Sequence, residues 1–147
     1  MKKLFVVALF LLAGCSTDNL NSQVLSFNQS FGPTFPVAED GKAAVYIVRD
    51  AASPEAPPIN VTMGGQPIGG LASRDYMRLN LLPKLYDLRA YGTQANKELI
   101  ITVAPGQTRF FLAQTAPGDS AQLLELSQEQ GRGLVRKGQL IWTPEID

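Results

Sequence analysis

The chain has no histidine and one cysteine in 147 residues. Without histidine, Ser-His-Asp and Cys-His catalysis as usually built lack their base. The usual zinc sites lose their nitrogen ligand. One thiol cannot close a disulfide within the chain, so packing must hold the fold together. Charge is sparse and balanced, 13 basic against 13 acidic residues, and no run of like charges exceeds two. Nucleic-acid binding needs a clustered basic footprint and electrostatic membrane binding a polybasic patch, and the charge pattern argues against both. Gly64-Gly65 and Gly69-Gly70 follow a strand pattern but open no helix, so they read as turn glycines and not as a phosphate loop. The longest apolar stretch, Leu4 to Leu12, is about half the ~20 residues a membrane-spanning helix needs.

That short stretch becomes informative through its flanks. Lys2 and Lys3 precede it, small residues Ala13 and Gly14 follow, and the lone cysteine, Cys15, comes next. Basic, apolar and small-residue elements in this order read as a secretory signal. Leu12-Ala13-Gly14-Cys15 resembles the lipobox of bacterial lipoproteins. The resemblance implies cleavage before Cys15, diacylation of its thiol and acylation of the new amino group. Residues 1–14 are then the signal peptide and Cys15 the lipidation site. Each acyl CH₂ contributes roughly 0.8 kcal/mol in lipid, and two chains anchor stably. Loss of Lys2 and Lys3 leaves 11 basic residues against 13 acidic ones.

Residues 15–42 read as the lipidated terminus and a tether, rich in Ser, Asn, Gln, Pro and Gly. Within it Phe27, Phe31 and Phe35 are spaced four apart. Pro33 and Pro36 oppose a continuous helix there. Two readings of the rings stand: they pack over an open end of the following domain, or they form a docking motif. They are the candidate partner contact.

Residues 43–147 alternate like β-structure. Ala43–Arg49 is a nearly continuous apolar run fit for a central strand. Ile59, Val61 and Met63 alternate with polar residues, Gly64-Gly65 suits a two-residue hairpin, and a short strand runs through Ile68 to Leu71. Met77, Leu79 and Leu81 form one alternating set, and Tyr86, Leu88 and Ala90 another across Pro83-Lys84. Leu99–Val103, Thr108–Gln114 and Gln122–Leu126 complete the strands. Ala104-Pro105-Gly106-Gln107 has Pro and Gly placed for a type II turn. Ser127 and Gln130 are spaced for a capping box, so Gln128–Lys137 reads as one short helix despite Gly131 and Gly133. Leu140, Ile141 and Trp142 read as a closing apolar clamp. Seven or eight strands with regular turns predict a mainly all-β sandwich. Val45, Ile47, Leu79, Leu88, Ile101 and Phe110 are its expected core.

Four pieces then carry a family resemblance: Gly41–Arg49, Gly64–Leu71, the Leu79–Leu88 hairpin around Pro83, and Pro105–Phe111, followed by an apolar strand running into a charged helix over Leu123–Lys137. Together they resemble small Gram-negative lipoproteins carrying a domain of unknown function. The resemblance implies a transthyretin-like antiparallel β-sandwich with one short C-terminal helix, and implies no chemistry.

Chemistry-bearing residues are few. Asp75, Asp87, Glu98 and Glu125 lie in or beside strands, and Asp87 shares a face with Arg89. Arg49, Arg74, Arg78 and Arg89 read as scattered surface arginines, with a shared anion site as the alternative. Glu39-Asp40-Gly41 and Asp50 are too sparse for a calcium site. No catalytic, metal or cofactor residue is expected. The expectation is a non-enzymatic, lipid-anchored envelope module. Its partners are the bilayer, through acylated Cys15, and another envelope protein, with no nucleic acid. Ser16, where an aspartate would favour inner-membrane retention by resemblance, points to the inner leaflet of the outer membrane, facing the periplasm. The alternatives are a binder of a small ligand or cell-wall glycan, and a carboxylate-dependent hydrolase.

Cys15→Ser is expected to leave an uncleaved precursor that takes up no labelled fatty acid in cells. Label retained by that variant would exclude Cys15 as the acylated residue.

Overall fold

The computed structural model describes residues 35–92 and 97–141. Cys15, Phe27, Phe31 and Trp142 lie outside them. Nine strands and one helix follow in the order β1 (Ala43–Val48), β2 (Ile59–Met63), β3 (Gln66–Leu71), β4 (Asp75–Leu81), β5 (Leu85–Tyr91), β6 (Glu98–Thr102), β7 (Thr108–Ala116), β8 (Ser120–Leu126), α1 (Gln128–Arg136) and β9 (Gln139–Leu140). One sheet runs β8-β7-β1-β4-β9, and the other β3-β2-β5-β6. The all-β sandwich expected from the strand spacing is the observed architecture.

The apolar run of β1 explains the layering. All six of its residues are buried. Alternation sends Ala43, Val45 and Ile47 to one face and Ala44, Tyr46 and Val48 to the other. The first set joins the core between the sheets, with Ile59, Val61, Leu71, Met77, Leu79, Leu88, Ile101 and Phe111. The second joins a smaller core on the outer face of the first sheet, with Ala38, Tyr76, Phe110 and Val135 of α1. A strand covered on both faces has no reason to alternate in polarity. The expected core residues Val45, Ile47, Leu79, Leu88, Ile101 and Phe110 are all buried.

Strand direction departs from a wholly antiparallel sandwich. β1 pairs antiparallel with β4 but parallel with β7, and β4 pairs parallel with β9. The cause is that the chain changes sheets between β1 and β2, β3 and β4, β4 and β5, and β6 and β7. β7 therefore reaches β1 from the opposite layer and not through a hairpin. The two alternating sets around Pro83 are likewise not a hairpin. β4 has β1 and β9 as its neighbours, β5 has β2 and β6, and Leu82–Lys84 arches between the layers. Period-two alternation marks a strand with one core face, but it is the same for a hairpin and for an arch whose arms face each other.

The turns behave as their residues require. Gly64 and Gly65 have φ of 56° and 79°, both positive as a type I′ hairpin demands, and they set Met63 opposite Gln66. Gly106 has φ of 73°, and Gln107 N–H donates to the Ala104 carbonyl, closing the type II turn. At α1 the capping box is present: Gln130 N–H donates to Ser127 Oγ, and Ser127 N–H donates to Gln130 Oε1. The helix ends at Arg136 with Lys137 as its C-cap.

The two helix glycines differ. A Cβ on Gly131 would stand 2.2 Å from Phe110 Cγ, whereas one on Gly133 would meet nothing within 4 Å. Gly131 is the point where α1 lies on the Phe110 ring. Gly133→Ala is expected to raise stability by up to about 1 kcal/mol through helix propensity. Gly131→Ala is expected to lower it by roughly 1–3 kcal/mol through overpacking. Denaturant midpoints of the two variants check the pair. A stabilised Gly131→Ala protein would show that the helix does not rest on Phe110.

Candidate functional site

The scattered arginines do not converge. Arg78 lies on the outer face of the first sheet, its Nε donating to the Tyr46 hydroxyl at 3.0 Å. Arg89 lies on the outer face of the second sheet. Arg49 is buried, 6% exposed, at the end of β1. Its Nη1 donates to the carbonyls of Pro57 and Leu71 at 2.8 and 2.9 Å, tying the β1–β2 loop to the end of β3. Burial pushes the Arg49 guanidinium below its ordinary value, and the charge of Asp75 opposes this. Arg49 is thus a structural tie in the fold.

The carboxylates named from the sequence do not converge on one site. Asp87, Arg89 and Glu98 come together on the outer face of the second sheet. Arg89 Nη2 reaches Asp87 at 2.9 Å and Glu98 at 3.1 Å. The pairing is local: Asp87 and Arg89 are two apart on β5, and Arg89 faces Glu98 across the β5–β6 ladder. Hydrogen bonds from Arg89 hold the Asp87 carboxyl below its ordinary value, and those to Asp87 raise Arg89. Glu125, on β8, takes a two-pronged contact from Arg109, at 2.7 Å to each oxygen. That contact lowers the Glu125 carboxyl. Asp75 accepts from the Ala72 N–H at 2.9 Å. Glu39 pairs with Lys42 at 2.9 Å, and the hydrogen bond between them lowers it too. Each carboxyl shift runs downward. At Glu39, Asp87 and Glu125 the cause is the same, a hydrogen bond with a basic partner that favours the charged carboxylate.

No group of three or more His, Cys, Asp or Glu side chains is arranged to hold a metal among the described residues. Two buried polar atoms lack a hydrogen-bond partner, the Thr62 hydroxyl and the Asn80 side-chain carbonyl. They belong to different sheets and form no common site.

Phe35 was grouped with Phe27 and Phe31, which lie outside the described residues. Its ring packs edge-on against Tyr46 and Phe110, with centroids 5.8 and 6.0 Å away. Arg132 and Arg136 cover it at 5.1 and 5.7 Å. Ala38 is buried in the same cluster. Packing therefore extends to Phe35, eight residues before Ala43. The reading in which the ring covers an open face of the domain describes Phe35.

Two features were not singled out from the sequence. One is the pair Arg132 and Arg136, whose four-residue spacing on a helix was the available signal. The other is a set of exposed aliphatic residues: Leu82, Leu85 and Ile100, at 46%, 62% and 49% exposure. Leu85 and Ile100 lie on the outer face of the second sheet, diagonal across the β5–β6 ladder, where Leu85 faces Thr102 and Asp87 faces Ile100. Leu82 begins the adjoining arch, its carbonyl accepting from the Tyr86 hydroxyl. In the alternating pattern these positions are outward, where a polar residue is the usual occupant.

The free edges of this sheet are partly blunted. Pro67 and a bulge after Val61 interrupt β3. Arg109 Nη1 donates to the Thr102 carbonyl on β6 at 2.9 Å. No family model, curated protein or solved structure matches the chain.

A pH dependence follows from the lowered carboxyls. A folded value below the unfolded one stabilises the fold at neutral pH. That stabilisation is lost as pH falls below the ordinary glutamate value of 4.5 and through the folded value. Arg109→Gln is expected to cost about 0–1 kcal/mol at neutral pH, the range for an exposed pair. It is also expected to lose less stability on acidification than the parent. Denaturant midpoints at neutral and acid pH check it, and identical acid sensitivity in the two proteins would exclude the Arg109–Glu125 contribution.

Proposed function

We propose that this protein is a lipid-anchored envelope lipoprotein whose sandwich serves as a non-enzymatic docking module for another envelope protein. The leader ending at Cys15 supports the anchor, and Ser16 supports the inner leaflet of the outer membrane. Two sheets ordered β8-β7-β1-β4-β9 and β3-β2-β5-β6, facing each other across one core, support the sandwich that the resemblance implies. Fold does not name a function, so the docking reading rests on the surface.

The observation that carries it is the aliphatic set Leu82, Leu85 and Ile100 beside the Asp87–Arg89–Glu98 ion pairs. Single exposed leucines are ordinary, but neighbouring ones on an outer sheet face leave apolar area for a partner to cover. The adjoining ion pairs give a polar rim of the kind interfaces use. Phe27 and Phe31 add to the contact from the tether.

Leu85→Ser with Ile100→Ser is expected to change stability by about 1 kcal/mol or less, because both side chains are exposed. It is expected to remove a discrete cross-linked product formed by the parent protein in intact envelopes. An unchanged cross-linking pattern with a folded variant would overturn this face as the docking surface.

A further inference from the structure

Arg132 and Arg136 stand one turn apart on α1 and converge on one ring. Their guanidinium carbons lie 5.1 and 5.7 Å from the Phe35 centroid. Arg89 and Arg109 are ion-paired, but neither Arg132 nor Arg136 has a carboxylate within ion-pair distance among the described residues. Lys137 follows directly at the C-cap, also exposed. The acid of the same helix, Glu129, sits in the first turn, where it complements the helix dipole. Two like charges are thus held against one ring. A guanidinium stacked on a ring keeps its in-plane N–H donors free for the paired oxygens of a phosphate. Two residues along the chain from Phe35, Val37 is 82% exposed, the most exposed large apolar residue described.

We propose that this surface, Arg132, Arg136, Lys137 and Val37, rests on the anionic phospholipid headgroups of the membrane that holds Cys15. The proposal depends on the lipoprotein reading. Chain continuity argues for the membrane as the occupant. Twenty residue steps separate Cys15 from Phe35, which limits Phe35 to at most about 66–72 Å from the anchored residue. The arginines are exposed, so a single dissolved phosphate gains little from them against water. A membrane presents many phosphates together, and each nearby basic residue adds to the attraction. Val37 supplies the apolar contact that a lipid interface accepts and a dissolved anion does not.

The test uses the full lipidated protein in vesicles of phosphatidylcholine alone or mixed with phosphatidylglycerol, with acylation verified by mass spectrometry. Amide hydrogen exchange is then compared between the two vesicle types. Exchange in α1 and at Val37 and Ala38 is expected to slow several-fold on the anionic vesicles at low salt and to recover at high salt. Arg132→Gln with Arg136→Gln is expected to abolish the slowing, while Arg132→Lys with Arg136→Lys keeps most of it. The lysine variant and the salt dependence decide the matter even if the glutamine variant folds poorly. Equal exchange of the acylated parent on both vesicle types overturns this proposal and leaves the lipoprotein reading standing. Absence of acyl chains overturns both. The same slowing produced by inorganic phosphate on neutral vesicles overturns the membrane as occupant and makes the pair a site for a dissolved anion.

Discussion

The architecture depends on one constraint: β1 must bury both of its faces. Ala43, Val45 and Ile47 require a second sheet, and Ala44, Tyr46 and Val48 require a cover on the other side. The second sheet meets the first demand. Helix α1 and residues 35–38 meet the second, with Val135, Ala38 and Phe35 filling the space above Tyr46 and Phe110. Large aromatics at this position make the cover energetically important, since burial of each such ring contributes about 1.5–3 kcal/mol or more. Gly131 then follows as a necessity, because the helix can approach Phe110 only without a side chain there.

Much of this was legible in the sequence, and the reasons differ by element. The strands, the capping box at Ser127 and the turns at Gly64-Gly65 and Pro105-Gly106 depend on local periodicity and backbone preference, which a sequence carries directly. The Leu82–Lys84 arch and the parallel β1–β7 pair depend on which layer a strand enters, and alternation is silent on that. The reach of the packed chain back to Phe35 was harder still. Its neighbours Pro33 and Pro36 give the segment the composition of a linker, and only contacts with Tyr46, Phe110 and α1 reveal it as part of the fold.

The site was less legible than the fold because nothing in it has a motif. Asp87 and Arg89 were placed on one face by alternation, yet the third member, Glu98, comes from another strand through register alone. Arg109 and Glu125 meet across the β7–β8 pair, with Phe111 under the guanidinium. These arrangements spend charge on charge within the domain. The outward aliphatic side chains Leu85 and Ile100 and the arginines of α1 take no part in these ion pairs and stay exposed.

The position of β1 has a mechanical consequence. A chain held at its amino-terminal end transmits tension through residues 35–42 to the start of β1. The first contacts to yield are small ones: Phe35 beneath its arginines, Ala38, and the Asn80–Glu39 hydrogen bond. Beyond them the load meets a central strand bonded along both edges, to β4 and to β7, which must shear as a row and cannot be peeled one bond at a time. The domain therefore yields a short length of chain under light tension and resists strongly after that, behaving as a slack coupling in series with a stiff one.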